Sequence, residues 1–407
     1  MKMAIRPNED VYYKKTIGFN FWKQHLQFNT SQELFSSDDI DLGTKFLLRT
    51  IVEANYGQFQ KILDLGCGYG PLGLTLKSLN QECVLHMVDR DALAVEYSLQ
   101  NAILNGLNQV EVYGSLGYDD VTQNDFDLIV SNIPGKVGEL AINSFLQEAA
   151  FYLNPYGLVA VVVVTPLEEV VHSILDNITG VEVVLKRNRP GHAVYHYRFT
   201  GKPEGRKPIE NVVERGIYQR DSTTFHHASI KYTMQTAYGL PEFDTLSYST
   251  ELVLNTLQDI KKPEIRRIVV LNPGQGHVPV VLDKLFRPPS ITLFDRDLLA
   301  LRYSSKNLDY NGFPINSISC YHRIGIGMDR GEKADIVVIV LREEGLVADK
   351  ITVQQAAGLL AVGGTMCISG SSTAITRLVD TIRKGKHLVI LGRERKKGFS
   401  CLMLQNA

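Results

Sequence analysis

The chain has 407 residues, 44% hydrophobic and 21% charged, which is enough apolar material for two cores of about 200 residues each. Its 43 basic and 44 acidic side chains leave a formal net charge of -1, which excludes a histone-like binder held by a global positive field. Five scattered cysteines with no CxxC pair exclude a disulfide framework or a cysteine zinc site and fit a reducing cytoplasm.

The N-terminal MKMAIRPNEDVYYKK is too polar for a signal peptide, and the longest apolar run, Leu158 to Val164, reads as a buried strand rather than a membrane span. The expectation is a soluble, cytoplasmic protein with no membrane contact, its oligomeric state left open. The histidines lack ligand spacing, so no metal site is expected. In chain order, an aromatic strand-like stretch, Gly18-Phe-Asn-Phe-Trp22, comes first, followed by a helix over about 41–55. A strand at 61–65 then enters the glycine turn of KILDLGCGYG (61–70) and a helix over 71–79. Gly66, Gly68 and Gly70 let backbone N–H groups approach a ligand, and the helix start favours an anionic group. Asp64 can accept hydrogen bonds from a ligand ammonium. Asp89 ends the next strand, 84–88, where a carboxylate can take both hydroxyls of a ribose.

A helix over 91–104 and strands at 110–113 and 127–131 follow, the last ending in Ser131-Asn132-Ile133-Pro134. Helices over 138–153 and 167–176 flank a strand at 158–164, and strands 181–186 and 193–199 are close enough in sequence to pair antiparallel. The alternation predicts an α/β, Rossmann-like fold: a mostly parallel seven-stranded sheet covered on both faces and ending in an antiparallel hairpin. The basic segment Lys186-Arg-Asn-Arg189 is expected as the loop of that hairpin.

The pattern then repeats. Segment 25–48 aligns with 231–254, and DRDALAVEYSLQNAILNG (89–106) with DRDLLALRYSSKNLDYNG (295–312), both at a shift of 206. DLGCGYGP (64–71) is matched to NPGQGHVP (272–279) at a shift of 208. The polar stretch around residue 205 divides two domains, 1–205 and 206–407. By this alignment Asn272 replaces Asp64, Val278 replaces Gly70 and Val340 replaces Asn132, so the second copy is expected to be degenerate. Its segment 393–397, Arg-Glu-Arg-Lys-Lys, is a second basic loop, and the two together suggest contact with RNA phosphates.

Gly68-Tyr-Gly-Pro-Leu-Gly73 also satisfies the dinucleotide-binding GxGxxG. Asp64, two residues ahead of the glycines, and the Asn-x-Pro at 132–134 favour S-adenosylmethionine instead. With Leu-Phe-Ser-x4-Asp-x-Gly-Thr (34–44), these motifs make residues 20–200 resemble the "small" class I methyltransferases, which include small-subunit ribosomal RNA guanine-N2 enzymes. The resemblance implies that Asp64, Gly66, Cys67, Gly68 and Gly70 cradle the methionine part of the cofactor, with Asp89 and Arg90 at the ribose and Ser115 or a neighbour in Gly114-Ser-Leu by the adenine. It implies that Asn132, the Ile133 carbonyl and Pro134 aim a target amine at the methyl group. In tandem ribosomal RNA members the decayed copy comes first; here the order is reversed. Where the family has an aromatic after the proline this chain has Gly135, so Phe19, Phe21 or Trp22 become the candidates to stack on a flat substrate.

Overall fold

The computed structural model describes residues 10–201, 207–260, 264–327, 332–384 and 387–406. They form two compact units that divide between Tyr218 and Gln219, further along the chain than the polar stretch around residue 205. Residues just after that stretch belong to the first unit. Val212 donates its N–H to both carboxylate oxygens of Asp119 at 3.1 Å, and Arg215 grips Glu148 at 2.7 and 3.1 Å.

The first unit opens with a hairpin of β1 (Tyr13–Phe21) and β2 (Gln24–Ser31) and the helix α1 (Leu42–Ala54). The layered core follows as β3 (Lys61–Leu65), α2 (Pro71–Leu79), β4 (Val84–Asp89), α3 (Ala92–Leu104), β5 (Val110–Gly114), β6 (Phe126–Asn132), α4 (Glu139–Glu148), β7 (Leu153–Val164), α5 (Glu168–Asn177), β8 (Val181–Arg189) and β9 (His192–Phe199). The seven-stranded sheet has the order β5-β4-β3-β6-β7-β9-β8, with β9 antiparallel to both its neighbours. The sequence-based strands and helices are all present. The exception is the expected helix 138–153, which stops at Glu148 and gives way to a short 3-10 turn before β7. Leu158 to Val163 in β7 are all buried, as expected for a β-branched strand covered on both faces.

The second unit repeats this plan: β10 (Gln219–His227), β11 (Ile230–Ala237), α6 (Tyr248–Gln258), β12 (Arg267–Leu271), α7 (His277–Phe286), β13 (Ser290–Asp295), α8 (Leu298–Tyr310), β14 (Ile318–His322), β15 (Ala334–Val340), α9 (Leu346–Leu359), β16 (Leu360–Ser371), α10 (Ser372–Lys384), β17 (Leu388–Lys396) and β18 (Phe399–Asn406). Its sheet order, β14-β13-β12-β15-β16-β18-β17, is the same. Even the irregularity near the start of β1, between Tyr13 and Lys15, recurs between Gln219 and Asp221.

The repeated asparagines explain themselves structurally. Asn101 on α3 accepts from Asn29 N–H at 2.7 Å and donates to the carbonyls of Asn29 and Tyr69 at 3.1 and 2.8 Å. Asn307 on α8 does the same for Gln235 and Gln275, with bonds of 2.8 to 2.9 Å. Asn105 and Asn311 clasp Gln27 and Thr233 one turn on. A buried side-chain amide that completes its hydrogen bonds on a neighbouring backbone is costly to replace, so these residues fasten hairpin to sheet layer in both units.

Candidate active site

The glycine turn after β3, Asp89 and Arg90 at the end of β4, Ser115 after β5 and Asn132 to Pro134 at the end of β6 lie along the carboxyl edge of the parallel strands, where an α/β sheet places its ligand crevice. Cys67 N–H and Gly66 N–H both donate to the Val88 carbonyl, at 3.0 and 2.9 Å, folding the glycine turn over the end of β4. Gly66 and Gly68 have φ of 78° and 59°, and a Cβ on either would meet nothing within 4 Å. The backbone there forms an open cradle. Gly73, one turn into α2, is required for a different reason. A Cβ there would lie 2.8 Å from Asp64 Oδ2, the atom to which Gly73 N–H donates at 2.8 Å.

Asp64 is 1% exposed, and its other oxygen, Oδ1, is buried with no partner. Burial pushes its pKa up to about 7, with the Gly73 N–H opposing and Asp89 adding to the rise. Asp89 accepts Gly68 N–H and Asp91 N–H, each at 2.9 Å, and burial pushes it up to about 6 despite those bonds and the nearby Arg90. Two desolvated carboxylates, one with an oxygen free of any hydrogen bond, lie under an open backbone cradle, an arrangement suited to a cationic ligand. The cationic ammonium and sulfonium of S-adenosylmethionine, with its ribose diol, fit that donor set.

Asn132 ends β6, two residues past Val130, which pairs with Asp64 on β3. Its Nδ2 donates to Asp41 Oδ2 at 2.8 Å and to Thr44 Oγ1 at 3.1 Å. Ile133 N–H donates to the Val162 carbonyl at 3.0 Å, continuing the ladder past the strand end. Asp41 and Thr44 belong to the Asp-x-Gly-Thr of the 34–44 motif, and residue-by-residue reading gave them no role. Their spacing at a helix start was the available signal. Ser36 on the same segment accepts the Tyr69 hydroxyl through its carbonyl at 3.2 Å, so the β2–α1 connection crosses the glycine turn.

Three expectations are corrected. Residues 186–189 are not a loop: β8 runs through Arg189 and the turn is Pro190-Gly191. Similarly, β17 runs to Lys396 and turns at Lys397-Gly398. Several of these cations are engaged locally, Lys186 with Glu168 at 3.0 Å, Arg187 with Glu53, and Lys396 with Glu251 at 2.6 Å. Next, Phe19, Phe21 and Trp22 lie away from the crevice. Gln27 meets Asn105 and Asn29 meets Asn101, so β2 runs antiparallel to α3, and the hairpin tip at Trp22 points past the far end of that helix. Phe19 is buried and stacks on Phe21, with 5.8 Å between ring centroids. Phe35, 76% exposed, directly precedes Ser36, whose carbonyl accepts the Tyr69 hydroxyl of the glycine turn.

The third correction concerns the second unit's glycine turn. The structural shift is 206, not 208. Asp64 pairs with Met87 and Val130, as Val270 does with Leu293 and Val338. The bond from Gly70 N–H to the Cys67 carbonyl, 3.0 Å, matches that from Gly276 to Pro273, 2.9 Å. Buried Val270 therefore replaces Asp64, and Asn272, at φ 56°, replaces Gly66. Val340 replaces Asn132 as expected, two residues past Val338. Arg342, at the place of Pro134, forms an ion pair with Asp295, the counterpart of Asp89, and donates to Asn272 Oδ1 at 3.2 Å. Burial still raises Asp295 to about 6, with Arg342 opposing.

The side chains of two further residues are engaged locally. Ser115 is buried beside Asp89, its N–H on the Asp89 carbonyl at 3.0 Å, but its hydroxyl donates to the Gly117 carbonyl and accepts Asp120 N–H within its own loop. The Cys67 thiol packs inward against Ser98 Oγ at 3.4 Å, and burial first, then Asp89 and Asp64, raise its pKa well above the ordinary value. It remains a neutral packing group. Among the described residues no three His, Cys, Asp or Glu side chains gather as metal ligands, and no helix is long and apolar enough to cross a membrane.

Comparisons with known proteins converge on this half. A family model described as the methyltransferase small domain matches residues 25–195. The uncharacterized protein YbxB of Bacillus subtilis is 31% identical over 151 residues, 37% of this chain and 74% of that protein. Ribosomal RNA small subunit methyltransferase C of Haemophilus influenzae is 35% identical over 155 residues, 35% of this chain; the matched stretch spans 45% of that relative's length. Over both halves, the structure of the T. thermophilus 16S rRNA N2 methyltransferase, solved with AdoMet and guanosine, superposes with a TM-score of 0.65 at 17% identity. It covers 97% of this chain and 99% of that one, a likeness of fold.

Proposed function

The chain belongs to the methyltransferase small-domain family, and from that premise we propose that its first unit transfers a methyl group from S-adenosylmethionine to an exocyclic amine, the N2 of a guanine in small-subunit ribosomal RNA. The observation that carries this reading is the buried, unpartnered Asp64 Oδ1 beneath the open glycine cradle, with Asn132 at the end of the adjacent strand. The guanine assignment is supported by the ribosomal RNA relatives and by the fold neighbour solved with guanosine.

When bound, the cofactor supplies an electrophilic methyl group on a sulfonium. The protein's part is positioning, because in-line displacement needs alignment rather than a strong base. Asp64 Oδ1 receives the ammonium and Asp89 the ribose hydroxyls. Asn132 Oδ1 and the Ile133 carbonyl accept the amine's hydrogens and turn its lone pair toward the methyl. Pro134 contributes no N–H that would compete for that lone pair. Phe35 supplies the flat contact that Gly135 cannot, and its counterpart in the second unit is Pro241.

The second unit (here residues 219–407) serves as a non-catalytic partner in holding RNA, its own crevice occupied by Arg342. The absence of an aromatic at Gly135 favours a second reading, methylation of a small molecule or a protein side chain. Labelled S-adenosylmethionine offered with small-subunit ribosomal RNA, protein and metabolite fractions decides. Label at guanine N2 of the RNA is expected; label confined to protein or metabolites overturns the RNA assignment.

A further inference from the structure

We propose that Asp41, assisted by Thr44, is a positioning residue that fixes which end of the Asn132 amide faces the target amine. This rests on the reading of Asn132 as the amine-aiming group. A primary amide has a donor end and an acceptor end of nearly the same shape, so a rotation of half a turn exchanges them. Only the acceptor end can receive the hydrogens of an amine. In this structure both N–H bonds of Nδ2 are consumed, by Asp41 Oδ2 at 2.8 Å and Thr44 Oγ1 at 3.1 Å. A flipped amide would turn its oxygen onto a carboxylate oxygen, replacing a charge-assisted hydrogen bond with a repulsion.

The clamp is itself held rigidly. Asp41 caps α1, and the same Oδ2 accepts Gly43 N–H at 2.8 Å and Thr44 N–H at 3.1 Å, where the helix start favours a negative charge. Gly43 is needed for space: a Cβ there would come within 2.8 Å of both Asp41 Oδ2 and the His192 ring. The Asp-x-Gly-Thr spacing thus delivers an acceptor, room for it and a second acceptor to one amide.

The second unit has lost the amide, the carboxylate and the glycine together and keeps only the threonine, as Thr250. Val340 replaces the amide, Ser247 replaces Asp41 and Ser249 replaces Gly43. Ser247 still caps its helix, accepting Thr250 N–H at 3.1 Å, and Ser249 turns to Ser369 Oγ at 3.0 Å. A cap without a clamp is therefore compatible with the fold.

That pairing supplies the experiment. Asp41→Ser keeps an equally good helix cap but is too short to reach Asn132. In the full chain it should leave thermal stability and S-adenosylmethionine affinity by calorimetry unchanged, and lower kcat on small-subunit ribosomal RNA on the order of 10- to 100-fold with a smaller change in KM. Asp41→Asn, which can still present an oxygen, should restore part of the loss. In an Asn132→Ala background Asp41→Ser should cost nothing further, because the two act as one unit. Nitrogen-15 NMR of the Asn132 side-chain amide gives a readout independent of any substrate. Slow proton exchange in the native protein should become fast in Asp41→Ser. Native kcat, additive losses in the double variant, or an unmoved amide resonance would each overturn the clamp. A native enzyme that leaves RNA unmethylated, with the resonance shifting as expected, would instead sink the substrate assignment.

Discussion

The two units share sheet order, strand register and the asparagine clasps, yet their crevices have diverged. In the first, Asp64 keeps one carboxylate oxygen buried without a hydrogen-bond partner, beside Asp89, whose oxygens accept the Gly68 and Asp91 N–H groups. In the second, Val270 has removed one carboxylate, and Arg342 supplies the cation for the other. Arg296 and Glu344 pair across the same two loops at 2.9 Å, both nearly buried. The comparison separates two kinds of residue. Those that fasten the hairpin to the sheet persist in both copies because the fold needs them. Of those that face the crevice, Asp64 and Asn132 are replaced in the second copy, and the one carboxylate that persists there, Asp295, is paired with an arginine of the chain.

The contrast can be broken most sharply at Asn132. Asn132→Ala should lower methyl transfer to ribosomal RNA by a factor of about 100 or more while cofactor affinity stays within a few-fold, since the side chain aims the amine and does not hold the cofactor. Parallel kinetics and calorimetry check both halves of that statement, and unchanged turnover would remove Asn132 from the mechanism.

Next in size is Asp64→Asn, which deletes the charge meant for the ligand ammonium and should weaken S-adenosylmethionine binding about 10- to 100-fold at pH 8. The native carboxyl is raised to about 7, so its ionised, cation-accepting fraction falls as pH falls through that value. Native affinity should therefore drop about tenfold from pH 8 to pH 6, and the Asn variant should show a weaker dependence. A pH-independent native affinity would contradict the role given to Asp64.

The smallest effect lies in the second unit. Arg342→Ala should destabilise it by about 1–2 kcal/mol, a figure kept low because the Arg342 side chain is 32% exposed. The loss should grow as pH rises through about 6. Asp295 has a folded pKa raised above its unfolded value, so the folded state is favoured while the carboxyl is protonated and must ionise above that pH. Denaturant melts at pH 5 and pH 8 would show it. Equal stability at both would mean Arg342 is incidental.

Much of this was legible in the sequence because periodicity and turn chemistry are local. The strands of the first unit, the glycine turn, Asp89 and Asn132 all lie where the residues indicated. The misreadings came from information that is not local. Matching the second unit by its glycines alone allowed Gly66 and Gly68 to be set against Gly274 and Gly276, when backbone pairing sets Gly68 and Gly70 there. That slip of two concealed the change from Asp64 to Val270, the most consequential in the crevice. The aromatic run ending at Trp22 gave no sign of which end of α3 its hairpin would reach, since that is decided by Asn101 and Asn105 far along the chain. The clamp on Asn132 joins residues 91 apart in sequence, and no single segment reveals it.

Isothermal titration of the full chain with S-adenosylmethionine tests the central claim most directly. One site per chain, abolished or strongly weakened by Asp64→Asn and untouched by Arg342→Ala, is the predicted result. Two sites of similar affinity would contradict the division into a live and a filled crevice, and no binding at all would contradict the cofactor assignment itself.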